Sequence, residues 1–258
     1  VGVFAVDASP PVGSPLAYDP TKEIVLPLSC RGIVLIGQGD PIVLCAVDWI
    51  GIGNDGQLEF RKALAQAAGT IPGRVSVHTL HQHDAPHCDF SADRLLAAHK
   101  INGEIFDSDF ARLVISRAAD AVRVAVANAR PVTHLGLGEA KVAMVASNRR
   151  ILGPDGKVKY VRYTACADPI IRDQPVGTID PMLKLISFWN GDQPIVAMTY
   201  YATHPQSYYR TGGANPDFPG MARDQRHNTT GVMHVQARNT PMASASYSMK
   251  AEKVEVYE

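Results

Sequence analysis

The stretch Arg74-Val75-Ser76-Val77-His78-Thr79, running directly into Leu80-His81-Gln82-His83-Asp84-Ala85-Pro86-His87, decides how the chain folds and where its chemistry sits. Its first six residues alternate, with Val75, Val77 and Thr79 on one side and Arg74, Ser76 and His78 on the other. Alternation of period two predicts a β-strand. The histidines that follow then fall at a strand end, where a loop can present functional side chains.

Upstream of this strand, residues 54–68 read as a helix, with Asn54 or Asp55 as N-cap and Gly69 as its stop. Before that helix, the apolar runs 32–36 and 41–47 flank Gly37-Gln38-Gly39-Asp40 and predict a hairpin. The second run alternates little, as expected of a strand buried on both faces. Downstream, residues 107–129 form the clearest helix: Phe110, Leu113, Val114, Ala118, Ala121, Val122 and Ala125 share one face, with Asp107 or Ser108 as cap. Strand-like runs follow near 135–145, 183–188 and 195–201, and the charged, turn-rich segment 153–177 reads as an excursion over the surface. No internal repeat is visible in the sequence. Interleaved strands and helices predict a mixed α/β fold, a layered domain with central mixed β-sheets flanked by helices.

Composition narrows the function classes. The 258 residues are 46% hydrophobic, enough for a substantial core. Lys+Arg and Asp+Glu both number 25, so no basic excess points to nucleic acid. No apolar run reaches the roughly 18 residues of a membrane helix. The four cysteines, Cys30, Cys45, Cys88 and Cys166, form no C-x-x-C pair, which argues against a zinc ribbon. Cys45 reads as a small buried hydrophobe, while Cys88 lies beside the histidines. Val1 in first place leads to the expectation of a processed chain or a fragment.

The histidine pair carries the chemical signal. Imidazole is a good zinc ligand, and on an extended backbone His81 and His83 would point the same way. A remote histidine, His204, ends the apolar run 195–201 in Ala202-Thr203-His204-Pro205-Gln206-Ser207, again at a strand's carboxyl end. Two close histidines and a distant third are a common way to build a zinc site. A metallo-β-lactamase-type site with two metals is a second reading, which would add Asp84 and His87. Its H-x-H-x-D-H pattern is out of register here, because Asp84 follows His83 at once and Pro86 precedes His87.

Taken in order, several short motifs resemble the N-terminal catalytic domain of the neutral/alkaline, non-lysosomal ceramidase family. Residues 4–16 (FAVDASPPVGSPL) resemble its first strand and D-x-T-P-P-x-G turn, and residues 80–86 resemble its T-H-T-H-S-G-P signature. Ser147-Asn148-Arg149-Arg150 resembles its N-R-S stretch, residues 202–207 its F-A-V-H-G-T-S segment, and Asp217-Phe218-Pro219-Gly220 its D-N-K-G. The likeness runs from about Val3 to about Val235, with variants that suggest a divergent bacterial branch. It implies a zinc-dependent hydrolase of an N-acyl bond in ceramide or another lipid-like or small molecule, secreted or periplasmic. It further implies His81 and His204 as zinc ligands, His83 at the substrate and reacting oxygen, and Arg149 facing the substrate.

The resemblance ends where residues 236–258 begin. The family completes its zinc site with a glutamate and a tyrosine, and supplies a serine, beyond the second histidine. Here Ser244, Ser246, Ser248, Glu252, Glu255 and Tyr257 stand in no matching motif and receive no role. The expected organisation is a catalytic domain over 1–235, incomplete, followed by an atypical tail from a truncated or frame-shifted end. A relic or binding module without activity is therefore a third reading of the chain.

Overall fold

In the computed structural model, residues 1–164, 166–238 and 256–257 are described, with the backbone alone from 236 onward. The chain has the mixed α/β architecture that its sequence predicts. Strands β1 (Gly2–Asp7), β2 (Ser29–Leu35) and β3 (Ile42–Val47) form an antiparallel meander; helix α1 (Asn54–Ala68) then leads into β4 (Val75–Thr79), which lies parallel to β3. Helices α2 (Phe90–Ala98) and α3 (Ser108–Ala127) come next. The same plan then recurs. Strands β5 (His134–Lys141), β6 (Met182–Asn190) and β7 (Gln193–Tyr201) form a second meander, and helix α4 (Asp217–Thr230) leads into β8 (Met233–Arg238), parallel to β7. A repeat that the sequence does not show is thus present in the topology.

The first sheet is buried on both faces, which explains the missing alternation in β3. Val43, Cys45 and Val47 join Cys30, Val34 and Phe4 in a core that includes Phe60 and Leu64 of α1 and Val114 and Val122 of α3. The opposite face carries Ile33 and Ala46 against Val196 and Met198 of β7 and Val235 of β8. The layers are therefore helices, first sheet, second sheet. Close approach decides two glycines: a Cβ at Gly32 would meet the Leu44 carbonyl oxygen at 2.1 Å, and one at Gly2 the Ala125 carbonyl oxygen at 2.3 Å. Cys88 is buried against α1, where burial first, with the Asp89 and Glu59 charges, pushes its thiol up to about 12.

Several local expectations shift. Helix α1 begins after Gly53, which makes no side-chain cap bond, and Asn54 donates its amide to Asp89 Oδ2 at 2.6 Å instead. Gly69 closes it in the left-handed region at φ 69°. In α3, Asp107 caps the Phe110 amide; Ile115 takes a place in the core, while Leu113 is exposed. Helices α2 and α4 have no apolar stripe to read, since α2 buries Phe90 alone and α4 buries Asp217, Pro219, Gly220 and Arg223. Strand β5 stops at Lys141, and the excursion contains a small hairpin, Arg150–Leu152 with Val158–Val161, and a helical turn, Pro169–Arg172. The expected boundary at 235 falls inside β8. Val256–Tyr257 adds an antiparallel edge to β5, while Ser244, Ser246, Ser248, Glu252 and Glu255 lie outside the described residues. Among the described residues no helix is long and apolar enough to cross a membrane.

His234 on β8 is 5% exposed, and its ring contacts Thr230 Oγ1 at 3.4 Å. Burial, aided by the charges of Arg226, His227 and Arg31, pushes its pKa down to about 4. A free imidazole titrates near 6.5, so the unfolded chain takes up this proton first. The resulting stability is whole above about pH 6.5 and is lost as pH falls toward the folded value. Urea denaturation followed between pH 7 and 4.5 should show a loss of up to about 3 kcal/mol from this group. His234→Leu should flatten that part of the profile.

Candidate metal centre

Three imidazoles meet at the carboxyl ends of the parallel strands. His81 and His83 follow β4, and His204 follows β7. Their ring centroids stand 5.0 Å apart for His81 and His83, 5.0 Å for His81 and His204, and 4.6 Å for His83 and His204. One ligand nitrogen from each lies within 4.8 Å of the others, and among the described residues this is the one group of three or more candidate ligands so placed. Zinc with imidazole bonds of about 2.0–2.1 Å holds such nitrogens near 3.3 Å apart, within reach of small side-chain rotations.

The convergence does not come from an extended strand. The β-ladder ends at Thr79, and His81 takes φ 65°, a left-handed backbone that non-glycine residues seldom adopt. The turn is clamped on each side. Leu80 N donates to Val47 O at 3.1 Å and His81 N to Trp49 O at 3.1 Å. His81 Nδ1 lies 2.8 Å from Ile50 O, and His83 Nδ1 lies 2.7 Å from Pro205 O. A carbonyl oxygen can only accept, so both Nδ1 atoms carry the proton and both Nε2 atoms keep a lone pair for a ligand. Backbone carbonyls fix the imidazoles of many metal sites in this way.

Gln82 points away from its neighbours and is wholly buried. Its Nε2 donates to Asp48 Oδ1 at 2.9 Å and to Pro216 O at 3.2 Å. Asp48, on the segment after β3, is 1% exposed and accepts two 2.8 Å bonds from Arg223 of α4, together with the Ser29 amide and hydroxyl. Burial works against the Asp48 carboxylate, but the Arg223 guanidinium, then Ser29 and Arg31, outweigh it and hold its pKa below the ordinary value. Asp217, also wholly buried, accepts Ser207 N at 2.9 Å and Tyr208 N at 3.2 Å, and so ties down the loop after His204. Asp84 does the same for Thr211, through its amide and hydroxyl.

These contacts sort the expected residues. His81, His83 and His204 come together. Asp84 is engaged with Thr211, and His87 lies in the short strand His87–Cys88 with its ring 6.1 Å from Phe106, so neither joins the group. Arg149 sits beside the small hairpin, with its guanidinium 5.7 Å from the Tyr163 ring. That excursion is joined to the histidine loop by Thr164 Oγ1 donating to Gln206 Oε1 at 2.8 Å. Sequence reasoning passed over Asp48, Gln82 and Arg223, and also Tyr18 and Tyr209, whose rings lie 6.1 Å from that of His83. The one available cue was Gln82, a polar residue locked between two histidines.

Removing Arg223 leaves the Asp48 charge buried and unpaired. Arg223→Met should lower stability by about 3–5 kcal/mol in urea denaturation, and the double change Asp48→Leu with Arg223→Met should recover much of it.

No protein-family model and no curated protein sequence matches the chain. Among solved structures, the chain is similar to the neutral ceramidase from Pseudomonas aeruginosa, with a TM-score of 0.65 and 16% identity over 92% of this chain and 38% of that one. A structure described as ceramidase complexed with C2 gives a TM-score of 0.61 and 15% identity, over 92% of this chain and 37% of that one. The chain thus spans under two-fifths of the length of the solved proteins it resembles, and at these identities what it shares with them is a ceramidase-like fold.

Proposed function

We propose that the chain is the N-terminal catalytic part, about residues 1–235, of a zinc-dependent amide hydrolase that cleaves the N-acyl bond of a lipid-like or other small substrate. The observation that carries this reading is the convergence of His81, His83 and His204 within 4.8 Å at the strand ends of a fold similar to neutral ceramidase. His81 and His204 are the proposed zinc ligands. His83 is proposed to face the reacting oxygen, and Arg149 the substrate; both roles rest on the motif resemblance. Zinc, when bound, supplies a Lewis acid that polarises the amide carbonyl.

The chain's own groups would do the rest. Ile50 O and Pro205 O hold the two imidazoles in the tautomer that presents Nε2. Burial of His83, 3% exposed, keeps water from competing for its ring. His81 and His204 fill two of zinc's usual four positions, so further donors belong to this reading. Secretion or a periplasmic location is proposed with it.

The experiment is metal analysis of the purified protein after zinc loading and dialysis, together with turnover of N-acyl substrates. About one zinc per chain is expected. His81→Ala and His204→Ala should each lower zinc affinity at least 10–100-fold, a loss typical of damaged sites. His83→Ala should keep zinc and lose turnover; loss of zinc there would make His83 a third ligand. A wild-type protein that holds no zinc would sink the reading and favour a relic without activity.

A further inference from the structure

Two cysteines outside the histidine group lie side by side in the first sheet. Cys30 of β2 and Cys45 of β3 are wholly buried free thiols, and their sulfurs stand 3.5 Å apart. The register sets Cys30 opposite Val47 and Gly32 opposite Cys45, so the two thiols share one face of the sheet, on a diagonal of the ladder. The other cysteines are placed elsewhere. Cys88 sits against Gly56 of α1, and the Cys166 thiol turns to Asp168 O at 3.6 Å. Proximity thus singles out one pair among the four.

A disulfide holds its sulfurs about 2.05 Å apart, so about 1.5 Å separates this contact from a bond. Diagonal neighbours on an antiparallel ladder have Cα atoms about 7–8 Å apart, slightly beyond the usual reach of a disulfide. Closure therefore draws β2 and β3 together and stores some strain. The surroundings decide when closure can happen. The neighbouring Cys30 thiol, and then burial, hold the Cys45 thiol well above its ordinary value. The thiolate is the species that attacks, so the closed sheet protects the pair from exchange. The two residues are 15 apart in the chain, within a hairpin of the short-range kind that forms early.

We propose that Cys30 and Cys45 are oxidised to a disulfide as the chain folds in an oxidising environment, stapling β2 to β3 inside the core. The oxidant is a small disulfide of the glutathione class. One protein thiolate attacks it and releases a small thiol; the second then displaces the half that remains attached. Two protein thiols and one small disulfide become one protein disulfide and two small thiols, and the electron pair lost by the protein sulfurs reduces the oxidant. The staple lies at the foot of the clamp on the histidines. Ser29, next to Cys30, holds Asp48, and the Trp49 and Ile50 carbonyls accept from His81. Closure of the bond needs no metal and stands apart from the zinc reading.

The test holds the full chain with oxidised glutathione at urea concentrations from zero to the unfolding midpoint, then quenches with acid, unfolds and alkylates. Trypsin cuts after Lys22, Arg31 and Arg61, so the two cysteines fall on separate peptides, 23–31 and 32–61. These two peptides should be found joined, with two of the four cysteines left to alkylate. The joint should form at least about tenfold faster near the midpoint than without urea, because opening exposes the thiols. Oxidised protein should unfold at a urea midpoint higher by at least about 0.5 M, part of what closing a loop of this length contributes. Cys45→Ala should give no joined peptide, and the wild-type digest decides the matter even where that variant does not fold. Four alkylated cysteines at every urea concentration, or a joint through Cys88 or Cys166 in place of this pair, would overturn the proposal. A bond formed with no rise in the midpoint would overturn its role as a staple.

Discussion

The buried ion pair between Asp48 and Arg223 is the constraint on which the rest of the site depends. Asp48 belongs to the first half of the fold and Arg223 to the helix of the second, and the pair is almost wholly excluded from water. Two charges in such a place are tolerable only because the guanidinium is matched by both carboxylate oxygens and Ser29 satisfies one of them further. The arrangement leaves Asp48 Oδ1 available to Gln82 as well. The Gln82 side chain is drawn inward, between the two imidazoles, and His81 beside it takes a left-handed backbone. A strained residue persists only where its surroundings over-determine it, and here those surroundings are the ion pair, two backbone clamps and the Pro216 carbonyl.

Three buried carboxylates share the work. Asp48 holds the turn between His81 and His83, Asp84 holds Thr211, and Asp217 holds the amides of Ser207 and Tyr208. None belongs to the histidine group, yet each fixes a loop that contributes to it. Acidic residues beside a histidine pair invite assignment as metal ligands. In this fold Asp84 and Asp217 hold backbone amides and a hydroxyl, and Asp48 holds Arg223, Gln82 and Ser29, so among the described residues the group within metal-binding reach is made of imidazoles.

The sequence revealed the site's members better than the means of holding them. Period-two alternation located β4, and the spacing His81-Gln82-His83 with a distant His204 identified three rings that do converge. Helix α1 and helix α3 were legible because glycine, aspartate and an apolar stripe mark them. Helix α4 was not, since what it buries toward the site is an arginine and an aspartate in place of leucines. The geometry of the histidine pair differs from the expectation for a related reason: strand alternation assumes that the ladder continues, and here it ends at Thr79, before His81 turns left-handed and Gln82 turns inward to Asp48. Long-range pairs such as Asp48 with Arg223 leave no periodic trace.

The repeated plan of meander, helix and parallel strand has a consequence for how the centre comes into being. Each half is contiguous in the chain and can assemble its own sheet from near neighbours, the low-separation contacts that form early. His81 comes from one half and His204 from the other. Neither half alone owns a chelating set drawn from both, and the group exists only once the sheets have docked. An ion gripped by both would act as a rivet across the seam, with its affinity drawing on the free energy of joining the halves. On the proposed reading, metal affinity would thereby also measure how firmly one half holds the other.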